Sequence, residues 1–352
     1  MGAVALLGCS GDEDEPKPSP TPTTKTPTTT APTSVNPKIE STIASDLNVP
    51  WGIAFLANGD ALVSQRDEGK LVRIATDGKV TTVGEVDGVS GGGEAGFLGI
   101  ALAPDDENTL FAFITTDSDN RLVRLTLDGD SITSQQPILT DIAVGGRHHG
   151  GRLLFADDGN IFVSTGDAGN GEFAQDKGSL NGKILRVTQD GKAADGNPFG
   201  NRTWTYGHRN IEGLAFDEKG RLWASEFGDQ SADELNLITR GDNYGWPDVE
   251  GKSDRDEFVN PKVTWGTDEC SPSGIAITRS TAFLGALQGE CVFAVPLRGE
   301  DVGRPKAYFS GDHGRIRTTV VAPDGALWVT TSNTDGRNRP GKNDDRILRV
   351  TL

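Results

Sequence analysis

No stretch of this chain carries the amphipathic period of an α-helix, with apolar residues recurring every three to four positions over roughly 11–18 residues. That lack argues against a helical fold. Nor does any segment hold the run of about 20 apolar residues that a transmembrane helix needs. Positive charge is also short: 34 Lys and Arg stand against 51 Asp and Glu, a formal charge of −17. Such a surface repels phosphates, which excludes nucleic acid as a partner. It suits an exported protein, a small neutral substrate or a bound divalent cation. Histidine is scarce, with four in 352 residues, at 148, 149, 208 and 313. Cysteine is scarcer still, at 9, 270 and 291.

Glycine is what the chain has in quantity. Its 46 glycines, many in Asn-Gly, Asp-Gly and Gly-Asp pairs, imply frequent tight turns. The length allows one large domain or two small ones. From residue 39 onward one pattern returns: Gly-Ile-Ala-Phe at 52, Gly-Ile-Ala-Leu at 99, Gly-Arg-Leu-Leu-Phe at 151, Gly-Leu-Ala-Phe at 213, Gly-Ile-Ala-Ile at 274 and Thr-Val-Val-Ala at 319. Four of the six lead through a turn (Asn58-Gly59, Asp158-Gly159, Lys219-Gly220, Asp324-Gly325) into a second apolar strand. A third strand with a charged, solvent-facing alternation then follows in most units, as in Lys70–Ile74, Arg121–Leu125, Lys183–Val187 and Arg346–Val350. Successive starts lie 45 to 62 residues apart.

Units of about 40–50 residues made of short antiparallel strands are the signature of a β-propeller. The sequence therefore predicts an all-β fold over 38–352, a six-bladed β-propeller of four-stranded antiparallel blades. The last strand has no partner after it, and Lys38–Ala44 is expected to complete its blade, because an open sheet edge is a liability. The two longest spacings mark inserted loops. A ligand site is expected at the mouth of the central channel, where loops from every blade bring distant residues together.

The first 37 residues read differently. Leu6-Leu7-Gly8-Cys9 resembles a bacterial lipobox, whose cysteine becomes the lipidated first residue of the mature protein. Residues 1–9 are read as a truncated lipoprotein signal. Seven residues before Gly8 without Lys or Arg are too few for a signal peptide, which puts the true start upstream. The Asp-Glu-Asp-Glu and Pro/Thr-rich stretch from 10 to 37 is expected to be a disordered tether. The protein is thus expected to be exported and lipid-anchored, on the outer face of the cell membrane or in the periplasm, touching the membrane through the lipid alone. In that compartment Cys270 and Cys291, each beside a strand-like segment, are candidates for a disulfide.

Several residues carry chemistry by type and place. Histidine is the default proton acceptor near neutral pH, and glycines beside His148 would admit a ligand close to the backbone. The plain alternative is a solvated loop histidine. His149 is read as lying behind the base or facing solvent, and His208 as a packing residue. Arg315 and Arg317, two apart on an extended strand, put two fixed cations on one face. Without a ligand they would form a salt-bridged strand face. Arg209 can fork onto the oxygens of an anionic ligand, or pair with a loop carboxylate such as Glu212. The acidic segment Ser225–Glu234 suits Ca²⁺, which takes oxygen ligands, unless it is only a surface turn.

Five motifs occur in order: Glu94-Ala95-Gly96-Phe97-Leu98-Gly99; His148-x-Gly150-Gly151-Arg152; Tyr206-Gly207-His208-Arg209-Asn210; Asp233-Glu234-Leu235-Asn236 with Gly241 to Pro247; and Gly314-Arg315-Ile316-Arg317. Together they resemble the soluble glucose/sorbosone dehydrogenase family, aldose sugar dehydrogenases that use pyrroloquinoline quinone (PQQ), over roughly 48–352. The resemblance implies that His148 is the general base removing the C1 hydroxyl proton of a sugar while hydride passes to the quinone, giving a lactone. It implies that Arg209, Asn210, Arg315 and Arg317 bind the quinone and that Glu94 contacts cofactor or substrate. It also implies that the carbonyls of Gly228 and Asp229 hold a Ca²⁺ polarising the quinone. Glu234 and the carbonyl of Tyr244 would hold a second, structural Ca²⁺. The implied partners are a small sugar and an external electron acceptor. Gln288 departs from the family, many of whose members have a basic residue there. The alternative reading is a non-catalytic propeller that binds carbohydrate or protein. A sugar lactonase finds no separate set of convergent carboxylates.

Overall fold

The computed structural model describes residues 1–5 and 35–352. The chain divides into two compact units, Met1–Ala31 and Pro32–Leu352. Residues 1–5 carry no regular secondary structure. Cys9 and residues 10–34, where lipidation and most of the tether were expected, lie outside the described residues. Among the described residues no helix is long and apolar enough to cross a membrane.

The second unit is a six-bladed β-propeller. The innermost strands are Pro50–Phe55, Phe97–Ala103, Gly150–Phe155, Ile211–Phe216, Pro272–Thr278 and Ile316–Val321. Each starts a blade of antiparallel strands paired in chain order, and the six repeats of the sequence fall one on each. In the fifth blade the outermost position is shared by two short strands, Asp301–Val302 and Lys306–Tyr308, both paired with Cys291–Arg298. The sixth blade is closed by the chain's other end: Lys38–Ala44 runs antiparallel to Ile347–Thr351, as the unpartnered last strand required.

The glycine of the repeat has a packing cause. Adjacent inner strands approach so closely that a Cβ at Gly99 would overlap the Gly151 carbonyl oxygen, and one at Gly213 the Ser273 carbonyl oxygen. Only glycine lets the strands converge on the channel. Every inner strand also breaks register against its neighbour near its N-terminal end, between Pro50 and Ile53, Phe97 and Ile100, Gly150 and Leu153, Ile211 and Gly213, Pro272 and Ile275, and Ile316 and Thr319. Such bulges bend a strand and re-aim side chains, and here they turn them into the mouth of the channel.

Between blades the sheets bury apolar layers. One joins Trp223, Leu235 and Trp265 to Leu284 and Val295; another joins Trp51 and Phe113 to Leu153 and Val163. The closing layer sets Ile53, Val63 and Val72 against Trp328 and Ile347, with Phe55 meeting Trp328 edge-on at 4.9 Å. Each fully buried side chain of this kind contributes about 1.5–3 kcal/mol.

Two expectations fail in the core. Cys270 and Cys291 are both free thiols, buried in the layer between blades four and five, not joined in a disulfide. Lys183 was expected to face solvent, yet it is fully buried. Its Nζ donates to the carbonyls of Phe173 (2.6 Å), Ala174 (3.0 Å) and Asn181 (2.7 Å). Burial pulls its pKa down to about 7. Three acceptors for three ammonium protons favour the charged form nonetheless.

Candidate active site

His148 enters the third blade's inner strand in a left-handed conformation (φ 61°), followed by two glycines of positive φ. Three contacts hold it there. Its backbone N–H donates to Glu94 Oε2 at 2.7 Å, its Nδ1 lies 2.6 Å from Asp167 Oδ1, and two residues on Gly150 N–H donates to Asn210 Oδ1 at 2.9 Å. Nδ1 is therefore engaged, while Nε2 has no hydrogen-bond partner among the described residues. Asp167 Oδ1 also accepts from Gly169 N–H (2.7 Å), and its Oδ2 accepts from Trp246 Nε1 (2.8 Å). Burial would raise the Asp167 pKa, but the bonds from His148, Gly169 and Trp246 hold it below the usual carboxylate range.

Glu94 arrives from the loop before the second blade, and its other oxygen lies 3.0 Å from the exposed Arg337. Here too burial would raise the pKa, and the His148 N–H and Arg337 bring it below its ordinary value. His149 does not face solvent. It is buried, with Nδ1 3.0 Å from Asn120 Oδ1, and burial first, then the charges of His148 and Arg66, push its pKa down to about 4. His149 therefore stays neutral at ordinary pH.

The arginines converge from blades four and six. Arg209 pairs with Asp229 at 2.7 Å, not with Glu212, and lies 5.4 Å over the Trp246 ring. Its Nε is buried without a partner. Arg315 and Arg317 do share a face, since Asp335 reaches both, at 2.9 and 3.8 Å. Glu212 takes the other side of Arg317 at 2.7 Å. Gln288, at the fifth blade, is exposed. A further cation escaped the sequence reading. Arg66, at the end of the first blade's second strand, is 1% exposed, and its Nη2 has no partner among the described residues. Its charge acts on both His149 and Arg317. In a protein of net charge −17, buried guanidinium nitrogens left without partners fit a polyanionic ligand that would complete them.

The fourth blade supplies the acidic part. The Oε1 of Glu250 accepts from the backbone N–H groups of Asp229, Gln230, Ser231 and Ala232, at 2.5–3.1 Å, so a carboxylate fills the inside of this turn. Gly228 N–H donates to Asp233. Glu234 lies opposite Glu226 across the strand pair, and burial, then the Glu226 charge, push its pKa up to about 8. Arg209, Glu226, Gly228, Glu234, Tyr244 and Glu250 line one small cavity. The carbonyls of Gly228, Asp229 and Tyr244 accept no backbone hydrogen bond among the described residues. Among the described residues no three His, Cys, Asp or Glu side chains form a ready metal cluster. Uncommitted carbonyls beside carboxylates short of positive charge nevertheless match the oxygen chemistry of Ca²⁺. His208 packs below, stacked on Tyr244 at 4.6 Å and 2.9 Å from Glu226.

The two longest insertions meet over this site. Gln175 of the short helix Glu172–Gln175 donates to the Trp246 carbonyl (2.7 Å), and Asn243 donates back to Gln175 (2.8 Å). Together they carry Asp167 and Trp246 to His148. The structure thus gathers His148, Glu94, Arg209, Asn210, Arg315 and Arg317 at one end of the channel. It places Gly228, Asp229, Glu234 and Tyr244 beside Arg209, and leaves the two cysteines in the core. Asp167, Arg66 and Arg337 join the site without having been singled out in the sequence. The signal for Asp167 was a carboxylate at the end of the strand next to the histidine's.

The chain has known counterparts. The PQQ-bound form of an aldose sugar dehydrogenase from Streptomyces coelicolor superposes with a TM-score of 0.89 at 45% identity, covering 91% of this chain and 99% of that one. The aldose sugar dehydrogenase YliI of Escherichia coli is 28% identical over 345 residues, 87% of this chain and 92% of that protein. The quinoprotein glucose dehydrogenase B of Acinetobacter calcoaceticus is 31% identical over 255 residues, 61% of this chain and 53% of that protein. The glucose/sorbosone dehydrogenase family model matches residues 47–348, and the chain belongs to that family.

Proposed function

We propose that this protein is a PQQ- and Ca²⁺-dependent aldose dehydrogenase that oxidises the C1 hydroxyl of a sugar to the lactone. The observation that carries this reading is His148. Its Nδ1 is fixed by an ionised, buried Asp167, and its Nε2 has no hydrogen-bond partner among the described residues. When bound, the quinone supplies the hydride acceptor, and an external acceptor later removes the electrons.

The remaining chemistry belongs to the chain. His148 Nε2 takes the C1 hydroxyl proton, and Asp167 stabilises the resulting imidazolium and keeps the ring in its tautomer. Glu94 holds the His148 backbone in its left-handed conformation, and Asn210 fixes the following glycine. Arg209, Arg315 and Arg317 supply fixed cations for a tricarboxylate, with Asp229, Glu212 and Asp335 holding their planes. The Gly228 and Asp229 carbonyls would hold the Ca²⁺ that polarises the quinone. Glu234 and the Tyr244 carbonyl would hold a structural one.

The test is dye-linked oxidation of a panel of aldoses by the whole protein, with and without PQQ and Ca²⁺, beside His148→Ala. Activity should require both additions and fall by about 10²–10⁴-fold in the variant, the usual worth of a general base. A chain that binds no quinone and oxidises no aldose would instead be a tethered binding propeller.

A further inference from the structure

The channel has a second end. The catalytic groups stand at the N-terminal ends of the inner strands, whereas the C-terminal halves of the same strands enclose a cavity of about 480 Å³. Each blade contributes an apolar side chain to it: Ile53, Leu102, Phe155, Phe216, Ile277 and Val321. All but Ile53 remain partly accessible, so apolar side chains form the larger part of the wall and backbone and polar groups the rest. Among the described residues the polar side chains that line it are Arg152, Thr318 and Thr319.

Arg152 differs from the other central arginines. Arg315 and Arg317 each have a carboxylate partner, while Arg152 has none within ion-pairing distance among the described residues. Its Nε donates to the Glu212 carbonyl at 2.7 Å and its Nη2 to Thr318 Oγ1 at 3.3 Å. The guanidinium lies 4.0 Å over the Trp51 ring. Nη1 makes no hydrogen bond among the described residues. Burial pulls the pKa of Arg152 down to about 9. The Glu212 charge offsets part of that cost, and an incoming anion would offset more.

We infer that this far end of the channel binds an amphiphilic carboxylate of the medium-chain fatty acid class, its tail along the aliphatic wall and its head on Arg152. A channel end that carries one cation without an ion pair among the described residues is complementary to one anion on an apolar tail. A sugar is a poorer occupant, because the hydroxyls that line this end, those of Thr318 and Thr319, already donate to the Trp51 and Phe283 carbonyls. A neutral hydrocarbon would add nothing to the partial compensation that Glu212 gives Arg152. The volume falls within the ordinary range for small-molecule sites, about 300–1,000 Å³. The site is reached from the face opposite the catalytic mouth and needs neither quinone nor sugar.

The experiment is calorimetric titration of the quinone-free whole protein with decanoate below its micelle concentration, beside decanol. The two variants are Arg152→Met and Ile277→Trp, the latter narrowing the channel at a partly accessible position. One decanoate per chain should bind. The affinity should fall about tenfold or more with Arg152→Met or with decanol, the usual worth of a hydrogen bond to a charged group. Ile277→Trp should abolish it. No saturable binding by the unaltered protein, equal binding of decanol, or full binding by Ile277→Trp would each overturn the inference. If Arg152→Met does not fold, the decanol comparison and Ile277→Trp still decide it. A negative result leaves the dehydrogenase reading untouched, because no step of the titration involves the quinone.

Discussion

Asp167 decides what His148 can do. With Nδ1 held 2.6 Å from an ionised carboxylate, the ring proton resides on Nδ1 and the lone pair on Nε2. Asp167→Asn keeps the shape and can present an amide donor to Nδ1, favouring the opposite tautomer. In the holoenzyme kcat should fall by about 10²–10⁴-fold, while PQQ affinity, read by titrating the visible absorbance, stays within about twofold. A parallel loss of quinone affinity would make Asp167 a merely structural residue. At this scale the sequence was partly legible. His148, Arg209, Arg315 and Arg317 stand at equivalent points of a visible repeat, so their convergence followed from the fold. Asp167 sits in a different loop of its blade, and its pairing depends on the Trp246 insertion folding over it. The burial of His149 depends on Asn120 from another blade, and that of Lys183 on three backbone carbonyls. None of these leaves a local pattern.

Strands were easier to read than the way they pair. The repeat glycines are legible because converging inner strands exclude a Cβ, so the constraint is written at one position per blade. The six bulges are not, since register is a property of two strands and neither shows it alone. Ring closure was legible through a missing partner, and it carries a prediction. Lys38–Ala44 pairs along Ile347–Thr351, and Val35 and Ile39 pack against the layer holding Leu327 and Val350. A chain starting at Ser45 loses these pairs and exposes a strand edge. Compared with one starting at Val35, its Tm should be lower by roughly 5–10 °C, from a few net hydrogen bonds and the lost apolar burial. Calorimetry of the two chains measures it, and an unchanged Tm would mean that the ring does not depend on this strand.

At the scale of the molecule, composition announced an acidic protein suited to a divalent cation, without showing where the acidity is a burden. The structure puts that burden in the fourth blade. Glu234, buried opposite Glu226, has its pKa raised to about 8 from the ordinary 4.5. A carboxyl that holds its proton more tightly when folded contributes stability below its unfolded pKa. It loses that contribution as pH rises from about 4.5 through about 8, because the unfolded state releases the proton first. Ca²⁺ reverses the trend. It requires the ionised Glu234, so binding displaces a proton and strengthens as pH rises toward 8. At a hundredfold excess over Kd a ligand specific for the folded state adds about 2.7 kcal/mol, which moves the Tm by several degrees. Thermal unfolding between pH 6 and 9 should therefore show Tm falling in EGTA and the increment from added Ca²⁺ growing with pH. Glu234→Gln, which removes the buried charge but keeps the shape, should raise the EGTA Tm at pH 9 and shrink the Ca²⁺ increment. An increment that is flat across pH and survives the substitution would remove Glu234 from the calcium site. The stability of the whole propeller would then rest on a cation held elsewhere or on none.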